Sequence, residues 1–435
     1  MASACSSHNA LSKPVEGRAS IHTARLPHVA VILVLIDYAM LSWFGTLAEW
    51  TGNATGMFRV GTGLFLSLNV AMCVAWLGGP LDEHRPPLAQ TERWLGPRFF
   101  LMTWGSLAVL ALSYRISAII RTPLDPAVAD MLPVIIQAGQ KMLAGQDPYT
   151  TYHFVSHDTP MQWLPALWLP YAPSVWLGID PRYLGLAAVV ASAAILGLAN
   201  WTISGSGALR AEDHLHPWVR IGLVGGLLLA PAAVWFGAIG HTQVYWLYLV
   251  SFVWSLSRRW WSWAGVCLGL CLMSRHTLLP LLPLLGLYLF RCLDKSAKTR
   301  LGLSAAVTVL AILLPFGLKG VRHLFVESPA YYWQLGEQAW TTTPWWVTST
   351  FGLGVFLYPA GYGSALSWVG GLCLIAVYVL AVHTIHDERT FVACLTLGLL
   401  IVTVSVPTPF RYEFFPVIIL LSTIPLLQRK TAEPR

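Results

Sequence analysis

Apolar segments recur along most of this chain, and they limit its possible folds more than any other feature. The run "LGLAAVVASAAILGLA" (184–199), for example, contains no charged residue. Inside a bilayer every backbone polar group must be hydrogen-bonded within the protein, which a helix of about 20 apolar residues achieves. Only 11% of the 435 residues are charged, whereas soluble domains carry about 25%. The sequence therefore predicts an all-α polytopic membrane protein without a soluble domain.

We predict about twelve transmembrane helices from the apolar segments. They lie near 28–48, 58–78, 98–120, 183–203, 218–236, 240–257, 261–275, 276–290, 300–318, 364–384, 390–406 and 411–428. Two further apolar stretches, 160–178 and 344–358, are interrupted by Pro or by Trp and Thr clusters. We predict that these two are re-entrant or surface-lying, and whether either crosses the membrane stays open.

The basic residues predict the orientation of the helices. With this arrangement, 18 of the 27 Lys and Arg residues fall on the side of the two termini, and cytoplasmic loops are enriched in such residues. The protein is therefore expected in the cell membrane with both termini in the cytoplasm. Three connections then face outwards: 121–182, the turn at 237–241 with its flanks, and 319–363. Long connections gathered on one face are where we expect the working site.

Three regions follow from this arrangement. Residues 1–27 are a polar cytoplasmic tail, 28–97 hold two additional transmembrane helices and a cytoplasmic loop, and 98–430 form the main transmembrane unit with its external loop 121–182. Within the second region, Asp37 is a carboxylate inside an apolar helix. We expect it to make a helix–helix hydrogen bond.

The stretch "DMLPVIIQAGQKMLAGQDPY" (130–149) interrupts this apolar pattern. It predicts an amphipathic interfacial helix from Met131 to about Ala144, ended by Gly145. Gln137 and Lys141 follow Asp130 by seven and eleven residues, which brings them within about 20° of its direction around the helix. Asp130 has two interpretations here: an N-cap that stabilises the helix, or a functional carboxylate.

Several cations are expected near the same face, at the outer ends of other predicted helices. They are Arg115, His241, Arg275, His276 and Arg411, the last beside Tyr412. Each alone is explained by a long side chain that extends to the membrane surface. Together with Asp130 they predict an outer pocket with one acid and several cations.

These residues resemble a known family. The spacing of Asp130, Gly145, Pro148 and Tyr149, followed by "WLPALWLP", is similar to the first external loop of glycosyltransferase family 87. That family contains polyprenol-phosphate-dependent mannosyltransferases of the GT-C superfamily. The segments "GHTQVYWLYL", "SRHTLLPLLPLL" and "SVPTPFRYEFFPVIILL" are similar to its later motifs. The chain departs from the family at His241, where Gln is usual, and in lacking a final Trp-His pair.

The resemblance implies a GT-C-like fold and an inverting glycosyltransferase that uses a polyprenyl-phosphate sugar, with mannose the expected sugar. Asp130 is the implied general base, and the acceptor is a hydroxyl of a lipid or glycan on the outer face. We assign nine further residues to donor-phosphate or substrate binding: Arg115, Lys141, Tyr149, His241, Gln243, Arg275, His276, Arg411 and Tyr412. The aromatic-rich segment 331–346 is a candidate for stacking on sugars. No resident cofactor or metal ligand set is implied, and a divalent-metal requirement stays open.

Two other functions remain as alternatives. A transporter or flippase of lipid-linked sugars would be expected to carry paired charges near the membrane midplane and internal inverted repeats. A GT-C enzyme acting on protein hydroxyls would also match the orientation of the chain. A nucleic-acid partner is not expected, because the net charge of +7 comes from basic residues in short loops between apolar helices.

Overall fold

The computed structural model describes residues 32–43, 54–78, 97–155, 158–198, 217–342, 350–407 and 409–427. These residues are mainly helical, and the β structure among them is one short hairpin and an isolated bridge. The predicted tail 1–27, part of the region 28–97 and residues 343–349 lie outside the described part.

The helices follow one another with few breaks. In the first half they are α1 (Ile32–Trp43), α2 (Ala54–Gly78), α3 (Pro97–Arg121), α4 (Met131–Leu143), α5 (Pro165–Trp168), α6 (Ala172–Trp176), α7 (Arg182–Leu198), α8 (Pro217–Leu229) and α9 (Pro231–Ala238). The hairpin strands β1 (Thr151–His153) and β2 (Asp158–Pro160) lie between α4 and α5.

The second half continues the bundle. Its helices are α10 (Val244–Ser257), α11 (Trp261–Leu272), α12 (Leu282–Cys292), α13 (Lys295–Leu313), α14 (Gly317–Arg322), α15 (Ser328–Thr342), α16 (Gly354–Leu357), α17 (Leu366–Thr384), α18 (Glu388–Val404) and α19 (Phe415–Thr423). Short 3-10 turns, among them His276–Leu281 and Arg411–Phe414, connect several of them, and a π-helical turn, His323–Glu327, joins α14 to α15.

Five helical segments of the described chain are long and apolar enough to cross a membrane. They are Gly56–Leu77, Met102–Arg121, Ile221–Ala238, Lys295–Thr342 and Gly363–Thr384. Other predicted crossings are helical but shorter: α10 has 14 residues, or about 21 Å of length, against a hydrocarbon core of about 30 Å. The structure thus supports an all-α protein with apolar spanning helices, and the count of twelve crossings stays a prediction.

Close helix packing explains part of the bundle core. Gly265 and Gly269 on α11 face α13, and a Cβ atom added at Gly265 would lie 2.0 Å from Oγ of Ser304. Small residues four apart let two helix backbones approach closely, which is a common way to join helices in membranes. A hydrogen bond joins another pair of helices: Asn69 of α2 donates to Asp37 of α1 at 3.2 Å. The expected helix–helix hydrogen bond of Asp37 is therefore confirmed.

One predicted connection is compatible with the structure and another differs from it. Segment 160–178, predicted to be re-entrant or surface-lying, forms short helices broken at its prolines, and the whole of α5 is buried, which argues against the surface-lying alternative and leaves the re-entrant one open. Segment 319–363, predicted to be an external loop, is helical through Thr342. Ala, Leu, Gln and Glu in "AYYWQLGEQAWTT" favour helix, so its polar and aromatic composition did not mean irregular structure.

Candidate functional site

Asp130 directly precedes α4 but does not cap it with its side chain. Its backbone is already helical, with φ −86° and ψ −16°, and no capping hydrogen bond forms. A capping side chain normally needs an extended backbone at this position. Instead, Oδ2 of Asp130 accepts a hydrogen bond of 2.8 Å from Oγ1 of Thr159 on β2. The interpretation of Asp130 as a helix cap is therefore wrong in this structure.

The helix that follows Asp130 is placed as predicted. The backbone N–H of Val134 donates to the carbonyl of Asp130 at 2.9 Å, and the helix ends before Gly145, whose φ of +68° suits glycine. The face that carries Leu132 and Ala138 is buried. Both the predicted bounds and the helix stop are confirmed to within one residue.

A cavity of about 590 Å³ opens beside Asp130, a size typical of small-molecule sites. Residues from the loop before α4, from β2, from α15 and from three interhelical turns line it. Six of the ten residues selected from the sequence are among them: Asp130, His241, Arg275, His276, Arg411 and Tyr412. The sequence prediction that these distant segments converge is thus met for six residues.

Arg275 is a cavity residue whose guanidinium has donors that a ligand could use. It lies in the extended turn between α11 and the 3-10 turn, with Cζ 4.8 Å from the ring centre of Tyr245 and 5.8 Å from that of Tyr412. Its Nε and Nη2 atoms are buried, and neither has a hydrogen-bond partner in the described structure. Buried donors of this kind are costly unless a ligand or water satisfies them.

His241 lies in the tight turn between α9 and α10, outside the candidate spans. The preceding Gly240 has φ +103°, and a Cβ there would come within 2.9 Å of Leu132. The His241 ring stacks on Tyr412 with 3.9 Å between ring centres. Burial, helped by the charge of Arg275, lowers the pKa of His241 to about 3. His241 is therefore a neutral imidazole near pH 7, and the expectation of a cation at this position is wrong.

His276 and Arg411 are oriented by backbone groups. Nε2 of His276 lies 2.7 Å from the carbonyl of Leu324 and must donate to it, since a carbonyl oxygen only accepts. Nη1 of Arg411 donates to the carbonyl of Leu41 on α1 at 3.3 Å, and its Cζ lies 5.9 Å from the ring centre of Phe236. Both side chains reach the cavity wall with part of their hydrogen bonding directed elsewhere.

Glu413 is a cavity residue that the sequence analysis did not select. The hydroxyl of Tyr332 on α15 donates to its Oε1 at 3.0 Å, whereas its Oε2 is buried without a hydrogen-bond partner among the described residues. Glu413 lies in the 3-10 turn Arg411–Phe414, outside the candidate spans, and burial raises its pKa to about 7 against the opposing effect of Arg275. Asp158 also lines the cavity, so the prediction of a pocket with one acid is wrong. A single carboxylate among the aromatic residues of "PFRYEFFP" was the available signal, but no periodicity linked it to the other site residues.

Arg115 and Gln243 were expected in the site but belong to the helix framework. Pro231 has no N–H, so the carbonyl of Leu227, four residues earlier, lacks its helical donor. Arg115 supplies one through Nη2 at 2.9 Å and also donates through Nε to Leu228 at 2.8 Å. Its Nη1 reaches Oε1 of Gln243 at 3.4 Å. Neither Arg115 nor Gln243 lines the cavity.

Lys141 and Tyr149 also lie away from the cavity. Nζ of Lys141 donates to Thr150 at 2.5 Å and lies 4.5 Å from the ring centre of Tyr152. The hydroxyl of Tyr149 accepts a hydrogen bond from Nε1 of Trp168 at 3.2 Å. Eleven residues of helix separate Lys141 from Asp130 by about 16 Å. They share a face of the helix, but they cannot contact the same small group.

No three His, Cys, Asp or Glu side chains of the described residues are grouped so as to hold a metal ion. No protein-family model, curated protein or solved structure matches this chain. The arrangement of side chains in the cavity and the sequence resemblance are the features that bear on function.

Proposed function

We propose that this chain is an integral membrane glycosyltransferase of GT-C type. It moves a sugar, expected to be mannose, from a polyprenyl-phosphate donor to a hydroxyl of a lipid or glycan acceptor at the outer face of the cell membrane. The observation that carries the proposal is one cavity holding both Asp130, whose carboxylate does not cap its helix, and Arg275, whose Nε and Nη2 have no partner in the described structure. A carboxylate can accept a hydroxyl proton, and a guanidinium can bind phosphate.

In the proposed reaction, Asp130 accepts the proton of the acceptor hydroxyl while the hydroxyl oxygen attacks the anomeric carbon of the sugar. The bond between that carbon and the phosphate oxygen breaks on the opposite side, so the anomeric configuration inverts. Polyprenyl phosphate leaves with the bonding electrons, and Arg275 stabilises its additional negative charge. Asp130 afterwards releases the proton to solvent.

The remaining cavity wall suits the other parts of such a donor. Tyr331, Tyr332 and Trp333 of α15 offer aromatic surface for the sugar. They belong to the aromatic-rich segment selected from the sequence, whose described part, 331–342, is helical. Val402 and Val406, at the end of α18, add apolar surface for the first part of the polyprenyl chain. Pockets of this kind combine apolar walls with a few placed polar groups.

The test is transfer of label from polyprenyl-phosphate-mannose. Membranes containing the wild-type protein should convert the labelled donor into a labelled glycolipid or glycan, whereas membranes with equal amounts of the Asp130→Asn variant should not. Absence of any wild-type product over a range of acceptor lipids would contradict the proposal. Movement of the intact labelled donor across sealed vesicles would instead support the transporter or flippase alternative.

A further inference from the structure

Glu413 and Arg275 are a carboxyl and a guanidinium in one cavity, and the proposed reaction uses only Arg275. Both line the cavity, and each influences the pKa of the other. These two side chains nevertheless form no ion pair in the structure. Oε2 of Glu413 and Nε and Nη2 of Arg275 are buried without hydrogen-bond partners among the described residues. These three buried polar atoms therefore lack hydrogen bonds that a bound group could provide.

Burial opposes the ionised form of Glu413, whereas Arg275 and the hydrogen bond from Tyr332 favour it. Tyr332 on α15 donates to Oε1 at 3.0 Å, and Tyr245 on α10 and the adjacent Tyr412 are its other titratable neighbours besides Arg275. The nearby His241 imidazole is uncharged near pH 7, because burial lowers its pKa to about 3. Arg411 directs a nitrogen to the carbonyl of Leu41. The charge of Arg275 acts on the pKa of Glu413, although the two side chains form no direct ion pair.

An anion bound by Arg275 would change this balance. Its negative charge would repel an ionised Glu413, whereas a protonated Glu413 could donate its Oε2–H to an anion oxygen. A neutral carboxyl also leaves the charge of Arg275 uncompensated and available to the anion. Burial already raises the pKa of Glu413 to about 7, despite the opposing effects of Arg275 and of the hydrogen bond from Tyr332. Little further change is needed for protonation near neutral pH.

We propose that Glu413 binds the anionic group of the substrate together with Arg275 as a protonated carboxyl, so that anion binding takes up one proton. This inference rests on the proposed function only for the identity of the anion, a lipid-linked phosphate. In that role Glu413 is a substrate-binding residue that selects for anions, and it makes donor binding weaker as the pH rises.

Farnesyl sulfonate is a suitable probe, because its charge does not change between about pH 6 and 9 and cannot itself cause a pH dependence. Calorimetric titration of the purified protein should give a Kd that increases up to about tenfold per pH unit above about pH 7. The sign follows from linkage: the bound state holds the additional proton, so removing protons from solution favours release. Titration in two buffers with different heats of protonation should show the uptake of up to one proton.

Two variants test whether Glu413, and not another cavity carboxylate, causes the pH dependence of binding. Glu413→Gln keeps an acceptor for Tyr332 and supplies N–H donors to the anion, so its Kd should stay near the low-pH wild-type value at every pH. Asp158→Asn is the matched control, since Asp158 lines the same cavity but lies 2.9 Å from His153, and it should keep the wild-type pH dependence. If Glu413→Gln does not fold, the two-buffer measurement on the wild-type protein still tests whether anion binding takes up a proton.

The possible failures are distinguishable. Sulfonate binding that is independent of pH and buffer, or a Glu413→Gln variant with the wild-type pH dependence, would overturn the role of Glu413 and leave the glycosyltransferase proposal standing. Absence of sulfonate binding at any pH would overturn both. A weakened but still proton-coupled binding in Arg275→Met would show that Glu413 does not act together with Arg275, and would also overturn the inference.

Discussion

Asp130 and Glu413 are two carboxyl groups in one cavity with different surroundings. Asp130 accepts a hydrogen bond from Thr159 of the hairpin, whereas Glu413 is held by Tyr332 and keeps one oxygen unpartnered in the described structure. Burial raises the pKa of Glu413 to about 7. Two acids in unlike environments can perform different tasks, and we assign proton acceptance to Asp130 and anion binding to Glu413.

Asp130→Asn tests the first assignment. Asn has nearly the same shape, its Oδ1 can still accept from Thr159, and no capping bond is lost. We therefore expect unchanged expression and thermal stability, with transfer reduced by at least about 10², as for loss of a general base. Transfer of labelled mannose and a thermal melt in detergent are the measurements.

Asp125→Asn and Asp147→Asn are the matched controls for this variant. Each aspartate accepts the backbone N–H two residues later, at 2.9 Å for Asp125 and 2.8 Å for Asp147. An Asn side chain can make the same bond. Neither residue lines the cavity, so both variants should stay active. A fully active Asp130→Asn enzyme would remove Asp130 as the base.

At the scale of elements, a proline that interrupts a helix leaves backbone carbonyls without their helical donors. Pro231 separates α8 from α9 and frees carbonyls that Arg115 then satisfies. Helical periodicity correctly placed α4 and its stop at Gly145, because both depend on local sequence. It could not show that Arg115 serves a proline break on another helix, or that Lys141 is too far along α4 to reach the cavity, because periodicity gives direction and not distance.

The hairpin that holds Asp130 was also beyond the sequence pattern. Strands β1 and β2 have three residues each, too few for a detectable alternation of polar and apolar residues. Yet the pairing of Tyr152 with Thr159 positions the hydroxyl that Asp130 accepts from. Glu413 was missed because a single carboxylate in an apolar stretch has no local pattern. Its role depends on Arg275 and Tyr332, which come from distant parts of the chain.

Arg115→Met tests the framework role of Arg115. The variant leaves the carbonyls of Leu227 and Leu228 without the donors they have now, at a cost of about 1–3 kcal/mol for each unsatisfied group. We expect a lower melting temperature in detergent and unchanged affinity for farnesyl sulfonate in the folded protein. The reverse result, unchanged stability with weaker binding, would indicate that Arg115 binds the substrate. Lys319→Met is the control, because Lys319 is 92% exposed and its loss should change neither quantity.

At the scale of the whole molecule, α1 and α2 support the turn Arg411–Phe414, which lines the cavity. Phe65 of α2 packs on Phe414 with 5.0 Å between ring centres, and Leu41 of α1 accepts from Arg411. Ser42 of α1 also accepts from the backbone of Ala232, just after the proline break. These helices have no counterpart in the sequence resemblance. Their contacts explain how the turn that carries Tyr412 and Glu413 is held in place.

The orientation of the whole molecule determines which side of the membrane the cavity faces. If the basic-residue bias gives the correct orientation, the hairpin next to Asp130 faces outwards, and the turn between α12 and α13 faces the cytoplasm. Val155 at the hairpin turn and Ser296 at the start of α13 are both exposed. We expect Val155→Cys, but not Ser296→Cys, to react with a membrane-impermeant maleimide added to intact cells. Permeabilised cells should label both, and the parent protein shows the background from its own cysteines. Labelling of Ser296→Cys alone would place Asp130 on the cytoplasmic side, where a donor presented outside could not reach it.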